Sequence, residues 1–315
     1  MNVAPETSFV ATTCLPLLLH SRNADGGWGF RSGSSSRVEA TCWALHALLN
    51  SAPLEAAESI ACGFQFLRAA QLPDGSWPAS QGENAGCWVT SLACWVLLSE
   101  ENSAKAVASG LRWLCDDWPR DSSPWRRFLG RFSSQHKIFP INTSYRGWGW
   151  TPGTSSWVEP TSFALLALTE SPEEILPTAA KRRRKLAEAL LYDRMCPGGA
   201  WNCGNPMVYG VAGDRLVLAT VWALLALRHH PERPENVMSL NWLEQTVPNI
   251  QGPGSLALAR ICLDTYGRKW PLDESAFHDF HQKNEFLDSI QVAAWTCLAL
   301  APRRPWLATP SREVS

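Results

Sequence analysis

A tryptophan in a glycine-rich turn, followed 13 residues later by a threonine, occurs three times: Trp28 to Thr41, Trp77 to Thr90 and Trp148 to Thr161. The segments around these pairs match along their length: GGWGFRSGSSSRVEATCWALHALL from Gly26, DGSWPASQGENAGCWVTSLACWVLL from Asp74, and RGWGWTPGTSSWVEPTSFALLAL from Arg146. A fourth copy, PGGAWNCGNPMVYGVAGDRLVLATVWALLAL, stretches the interval to 19 residues, from Trp201 to Thr220. A fifth, between Gln251 and Gly267, is weaker, and a sixth, LDSIQVAAWTCLAL, keeps only the second half. A fixed internal period of roughly 50 residues is the mark of a repeat architecture, in which each unit buries its apolar face only against its neighbours.

Between the turns, apolar residues recur at three- and four-residue steps, and Gly or Pro punctuates the ends. The spacing predicts helices near 9–20, 38–50, 56–71, 88–99, 103–116, 158–169, 177–194, 214–229, 237–247, 255–267, 274–284 and 289–301. Val and Ile are scattered rather than alternating with polar residues, so little reads as strand. The second helix of each pair, such as VEATCWALHALL, VEPTSFALLAL or DRLVLATVWALLAL, is apolar nearly all round and is expected inside. The first helices carry more charge, as in KRRRKLAEALLYDR, and are expected outside. Six such hairpins can close on themselves. The expectation is an all-α chain, an (α/α)6 barrel forming one domain over 1–315 with an insertion at about 119–145.

Net charge is −1 and no basic stretch dominates, which excludes an electrostatic nucleic-acid binder. No run of 18 apolar residues is present to span a membrane. The N-terminus lacks the basic start of a signal peptide. Cys14, Cys42, Cys62, Cys94, Cys262 and Cys297 fall within apolar helical patterns, where a reduced Cys acts as a small hydrophobe, so a cytoplasmic setting is expected. Seventeen Trp against four Tyr is more than a core of this size needs for filling.

The segment GFQFLRAAQLPDGSW, Gly63 to Trp77, resembles the QW motif of the squalene–hopene and oxidosqualene cyclases, with Phe66, Gln71, Gly75 and Trp77 in the motif's places. LLYDRMCPGGAWNCGN is a looser copy, with Met195 and Cys196 near the Gln place, and LLLHSRNADGGW is looser still. The resemblance implies an alpha-alpha barrel like those of the cyclases and of protein prenyltransferase β subunits. In the family, the Gln caps a helix end and stacks on the Trp. Those cyclases protonate their substrate with an Asp of a DxDD or DCTAE motif at the start of an inner helix. This chain has no DxDD; its nearest string, LCDD at 114–117, closes an outer helix. Val38-Glu39-Ala40-Thr41 and Val158-Glu159-Pro160-Thr161 are similar to the family's V-D-C-T stretch, so the resemblance implies Glu159 and Glu39 as proton donors. The family's cyclases enclose their cavity with two barrels, and one is expected here.

Glu39 and Glu159 are expected just before inner helices, with Asp214 near the fourth inner helix and Asp288 near the sixth. Capping competes with catalysis for these groups, because a helix N-terminus favours the carboxylate, while an acid needs its proton held by desolvation. Thr41 and Thr161 can cap likewise. Pro160 suits a first helical position, leaving Glu159 outside and facing the opening. Trp43, Phe163, Trp222 and Trp295, two residues past the Thr or its equivalent, either line a cavity able to stabilise a carbocation or fill the axis as core. With Asp214 they form the expected substrate-binding set.

For zinc, His278 and His281 share a helix face, and Asp264 follows Cys262, but the spacing supports no metal site, and no cofactor is expected. Asp116-Asp117-Trp-Pro-Arg-Asp121 mimics a magnesium-binding DDxxxD string without a second metal motif. The basic run Lys181 to Lys185 reads as a solvated face, with a membrane-surface patch as the minor alternative. The insertion with Arg120, Arg126, Arg127 and Arg131 reads as a packed surface loop, with a lid or a diphosphate contact as the minor alternatives. The expected ligand is an isoprenoid or other apolar small molecule. The first functional expectation is a terpene cyclase-like enzyme working by proton transfer. The alternatives are a non-catalytic lipid-binding barrel, a partner subunit, and a zinc-dependent prenyltransferase-like enzyme.

Overall fold

The computed structural model describes residues 8–117, 119, 141–272, 275–284 and 288–300. The insertion with Arg120, Arg126, Arg127 and Arg131, and Asp121 of the DDxxxD-like string, lie outside the described residues. Where one domain was expected, the described residues gather into two compact units. One holds residues up to 71, 78–84 and 246–300, the other 72–77 and 85–245.

The first unit contains α1 (Leu15–His20), α2 (Val38–Ser51), α3 (Ala57–Ala70), α10 (Pro253–Thr265), α11 (Ser275–Asn284) and α12 (Ile290–Leu300). Helix α12 lies between α2 and α10, and α3 packs on α2. The second unit contains α4 (Val89–Leu97), α5 (Ala104–Asp116), α6 (Val158–Glu170), α7 (Ala180–Asp193), α8 (Val217–Ala226) and α9 (Pro234–Thr246). Here α6 packs against α4, α7 and α8. A two-stranded hairpin, β1 (Met207–Val208) and β2 (Val211–Ala212), joins α7 to α8.

Burial follows the sequence pattern. Ten of the thirteen residues of α6 are buried, whereas only five of the fourteen in α7 are, so α6 is enclosed and α7 is amphipathic. In the basic run on α7, Arg183 departs from the expected solvated face. It is 5% exposed, stacks 4.0 Å over the Trp148 ring and donates to the Gly147 carbonyl.

The Trp–Thr spacing has a physical cause. Each threonine hydroxyl accepts the tryptophan's backbone N–H, at 2.9 Å for Trp28–Thr41, 2.9 Å for Trp77–Thr90, 3.0 Å for Trp148–Thr161 and 2.9 Å for Trp201–Thr220. The same hydroxyls donate back to the tryptophan carbonyls. The threonines therefore bracket the turns rather than cap helices. The indole N–H completes the join. Trp28 donates to Leu18, Trp148 to Leu114 and Trp201 to Leu191, each a carbonyl in the last turn of the preceding helix. The approach is close: a Cβ on Gly147 would lie 2.1 Å from the Thr161 hydroxyl. In the fourth copy the hairpin β1–β2 absorbs the added residues, so the bracket survives the longer interval.

Several boundaries differ from expectation. Helices α2 and α6 start at Val38 and Val158, so Glu39 and Glu159 are second residues inside the first turn and Pro160 is third. Proline is tolerated there because first-turn amides have no intrahelical acceptor. Helix α8 starts at Val217, three residues beyond Asp214, because the hairpin runs on to Gly213. Helix α9 starts three residues early, on Pro234. The first helix opens as a π-turn over Val10–Cys14.

Candidate active site

In the second unit, Trp157 precedes α6 in an extended conformation and Glu159 stands in the first turn. Glu159 is half-buried, and burial raises its carboxyl above the ordinary glutamate range. The dipole of the helix N-terminus acts the other way. Phe163 follows one turn later on the same face. Its ring lies 4.7 Å from that of Trp222 on α8, tilted by 58°, and 5.2 Å from that of Trp88, stacked at 29°. Trp88 in turn meets Trp150 edge-on at 5.0 Å and 87°, and its backbone N–H donates to the Trp150 carbonyl. Four rings thus form one continuous wall beginning one turn below a partly desolvated carboxyl. Cys203 adjoins the site: its carbonyl accepts the Val158 N–H at 3.0 Å. Burial, and secondarily the charge of Glu159, push its thiol up.

The first unit repeats the pattern with different polar chemistry. Glu39 is again the second residue of its helix, and Trp43 follows one turn on. Across from them, α12 presents Gln291 and Trp295 at the same spacing. Gln291 Nε2 donates to Glu39 Oε1 at 2.9 Å, and the Trp43 and Trp295 rings meet edge-on at 5.6 Å. His46 sits 5.9 Å from the Trp43 ring, ring to ring, and burial lowers its imidazole to about 3.

Within each unit the aromatic candidates meet in pairs, Phe163 with Trp222 and Trp43 with Trp295. Asp214 is exposed in the loop before α8. Asp288 is an exposed partner of Arg31 at 3.3 Å. Trp88, Trp150, Gln291 and His46 were not anticipated. The signal for two of them is in the repeat: Trp88 stands two residues before its threonine, as Glu39 and Glu159 do, and Gln291 stands in the same register before Ala293. The zinc candidates are engaged otherwise. Asp264 pairs with Arg260 at 2.9 Å, and the His278 and His281 rings flank Phe9. Among the described residues no group of three or more His, Cys, Asp or Glu is placed to hold a metal.

No protein-family model matches the sequence. The chain is 24% identical over 274 residues to the drimenyl diphosphate synthase of Streptomyces showdoensis, covering 75% of this chain and 50% of that protein. It thus spans about half the length of this relative. Its fold resembles the type II terpene cyclase MstE of Scytonema, solved with geranylgeranyl dihydroxybenzoate, at a TM-score of 0.54 and 14% identity over 93% of this chain and 78% of that one. It also resembles a GH8 endo-β-1,4-glucanase from an Achatina fulica gut metagenomic library, at 0.58 and 13% over 94% and 99%. Terpenoid and glycan enzymes share the architecture, so the fold by itself assigns no chemistry. The fold class is all-α, of the alpha-alpha toroid kind, and the sequence relative is terpene cyclase-like.

Proposed function

We propose that the chain is an isoprenoid cyclase-like enzyme in which Glu159 delivers a proton to an alkene carbon of an apolar substrate. One observation carries the reading: a carboxyl held toward its protonated form by burial stands one turn from a wall of four aromatic rings. In the step, the Glu159 O–H breaks and the alkene π pair forms the new C–H bond. Glu159 is left as carboxylate and the adjacent carbon as a cation. Ring faces stabilise such a cation by about 0.5–2 kcal/mol each once water is excluded. Further alkene addition closes rings, and loss of a proton ends the sequence.

The similarity to a drimenyl diphosphate synthase supports a polyprenyl substrate, with or without diphosphate. Glu39, held by Gln291, is a second carboxylate whose role in this reading is to fix α2 against α12 and hold Trp43 on Trp295. Within the second unit Phe163 and Trp222 are the proposed ligand-facing aromatics, with Asp214 a contact at the periphery; Trp43 and Trp295 are the corresponding pair within the first unit. Ten free cysteines support a reducing, cytoplasmic setting.

The test is incubation with farnesyl and geranylgeranyl substrates, as diphosphates and as alcohols, with products resolved by gas chromatography and mass spectrometry. Cyclic products from the wild type, lost in Glu159→Gln with its fold intact, are expected. Unchanged turnover in Glu159→Gln would overturn the assignment of the acid.

A further inference from the structure

Two buried thiols of the first unit meet each other. Cys14 is the last residue of the π-turn that opens the N-terminal helix, and Cys297 stands on α12; both are fully buried. Helix α12 packs on the π-turn and on α1, and a side-chain hydrogen bond joins the two thiols. With Val10 and Leu18, Cys14 belongs to the buried face of the N-terminal segment. Cys94 shows what a buried thiol does without a sulfur neighbour: its Sγ donates to the Val107 carbonyl at 3.9 Å.

Packing alone does not call for this pair. A buried cysteine acts as a small hydrophobe, a part that Ala or Val plays without setting two nucleophiles side by side. A single π-turn is rare and recurs at functional positions, and here it ends on one of the two sulfurs. The other sulfur shares α12 with Gln291 and Trp295, the residues that hold Glu39 and meet Trp43.

We infer that Cys14 and Cys297 are a redox-sensitive pair that closes into a disulfide under a peroxide and staples the N-terminal helix to α12. Under reducing conditions the two stay thiols. In the first step one sulfur loses its proton and attacks a peroxide oxygen, the O–O bond breaks, and a sulfenic acid and water form. In the second the other sulfur, losing its proton, displaces the sulfenic hydroxyl as water and the S–S bond forms. The peroxide takes two electrons and the two sulfurs give them. Burial, and secondly the Cys14 side chain, hold the Cys297 thiol well above its ordinary value, so it enters as S–H and the reaction waits on local opening of the N-terminal segment. The bond encloses nearly the whole chain and so restricts chiefly the unfolded state. None of this rests on the isoprenoid reading.

Peptide mapping tests it. The folded protein is treated with hydrogen peroxide, remaining thiols are blocked with N-ethylmaleimide in denaturant, and tryptic peptides are read by mass spectrometry without reductant. The Cys14 peptide is expected joined to the Cys297 peptide, two hydrogen atoms lighter than the pair, in monomeric protein, and released by dithiothreitol. The oxidised wild type is expected to melt about 5 °C or more above the reduced protein. Cys14→Ala and Cys297→Ala, with their fold checked by circular dichroism, are expected to show no such rise, and Cys62→Ala, at a half-buried thiol, to show it in full. Glu159→Gln is expected to form the cross-link as the wild type does, which separates failure of the staple from failure of the proposed activity. Recovery of Cys14 and Cys297 as N-ethylmaleimide adducts at a peroxide dose that oxidises Cys62, pairing of either with another cysteine, or a cross-link that leaves the melting temperature unchanged, would overturn the inference.

Discussion

The Trp148 amide donates to the Thr161 hydroxyl at 3.0 Å across 13 residues, and the Trp148 indole donates to Leu114 at 2.9 Å. One side chain thereby ties a turn to the helix before it while its own backbone is tied to the helix after it. Glu159 and Phe163 flank Thr161 at two residues on either side, so the bracket fixes the helix turn that carries them.

Thr161→Val keeps the shape and removes the bracket, leaving the buried Trp148 N–H without its acceptor. A loss of about 1–3 kcal/mol is expected. Chemical denaturation of Thr161→Val and Thr41→Val checks it, and both are expected to fall in this range because the geometry is repeated.

Glu159 gives stability a definite slope with pH. Its folded-state carboxyl is raised above 4.5 by burial, so the folded protein binds the proton more tightly than the unfolded chain. Its favourable effect is complete below that value and is lost as pH rises through the raised one. Glu159→Gln is therefore expected to gain stability relative to the wild type above this window and to match it more closely below, as read from melting curves across pH.

His46 acts in the opposite sense. Burial holds its imidazole at about 3 against 6.5 when unfolded, so the unfolded chain binds the extra proton between those values. Stability is expected to decline with a slope of up to about 1.4 kcal/mol per pH unit as pH falls below 6.5. A His46→Gln variant is expected to flatten that acid limb, measured by denaturant titrations from pH 7 to 4.

Trp222 closes the buried end of the ring wall at 2% exposure. Trp222→Ala is expected to cost about 3–5 kcal/mol by leaving a cavity. Trp222→Phe, retaining a ring against Phe163, is expected to cost less and to alter the product distribution in the cyclisation assay.

The helices and turns were legible in the sequence because the constraint behind them is local: a turn amide must find its threonine, and an enclosed helix must be apolar on all sides. The candidate site was legible only in part. Glu159, Phe163 and Trp222 stand out by register, but the stacking of Trp88 on Phe163 joins separate repeats, and no spacing within one repeat reveals it. Glu39 and Glu159 look alike in sequence, and their difference comes from a distant neighbour, Gln291, across 252 positions. Asp214 looked like a helix-start carboxylate until the hairpin shifted the start of α8 to Val217.

The most direct measurement is turnover of a polyprenyl substrate in deuterated water, with the product analysed by mass spectrometry. Proton delivery by Glu159 predicts a cyclic product carrying one deuterium from solvent, formed by the wild type and absent with Glu159→Gln. A cyclic product free of solvent deuterium, or the same deuterated product at full rate from Glu159→Gln, would contradict it.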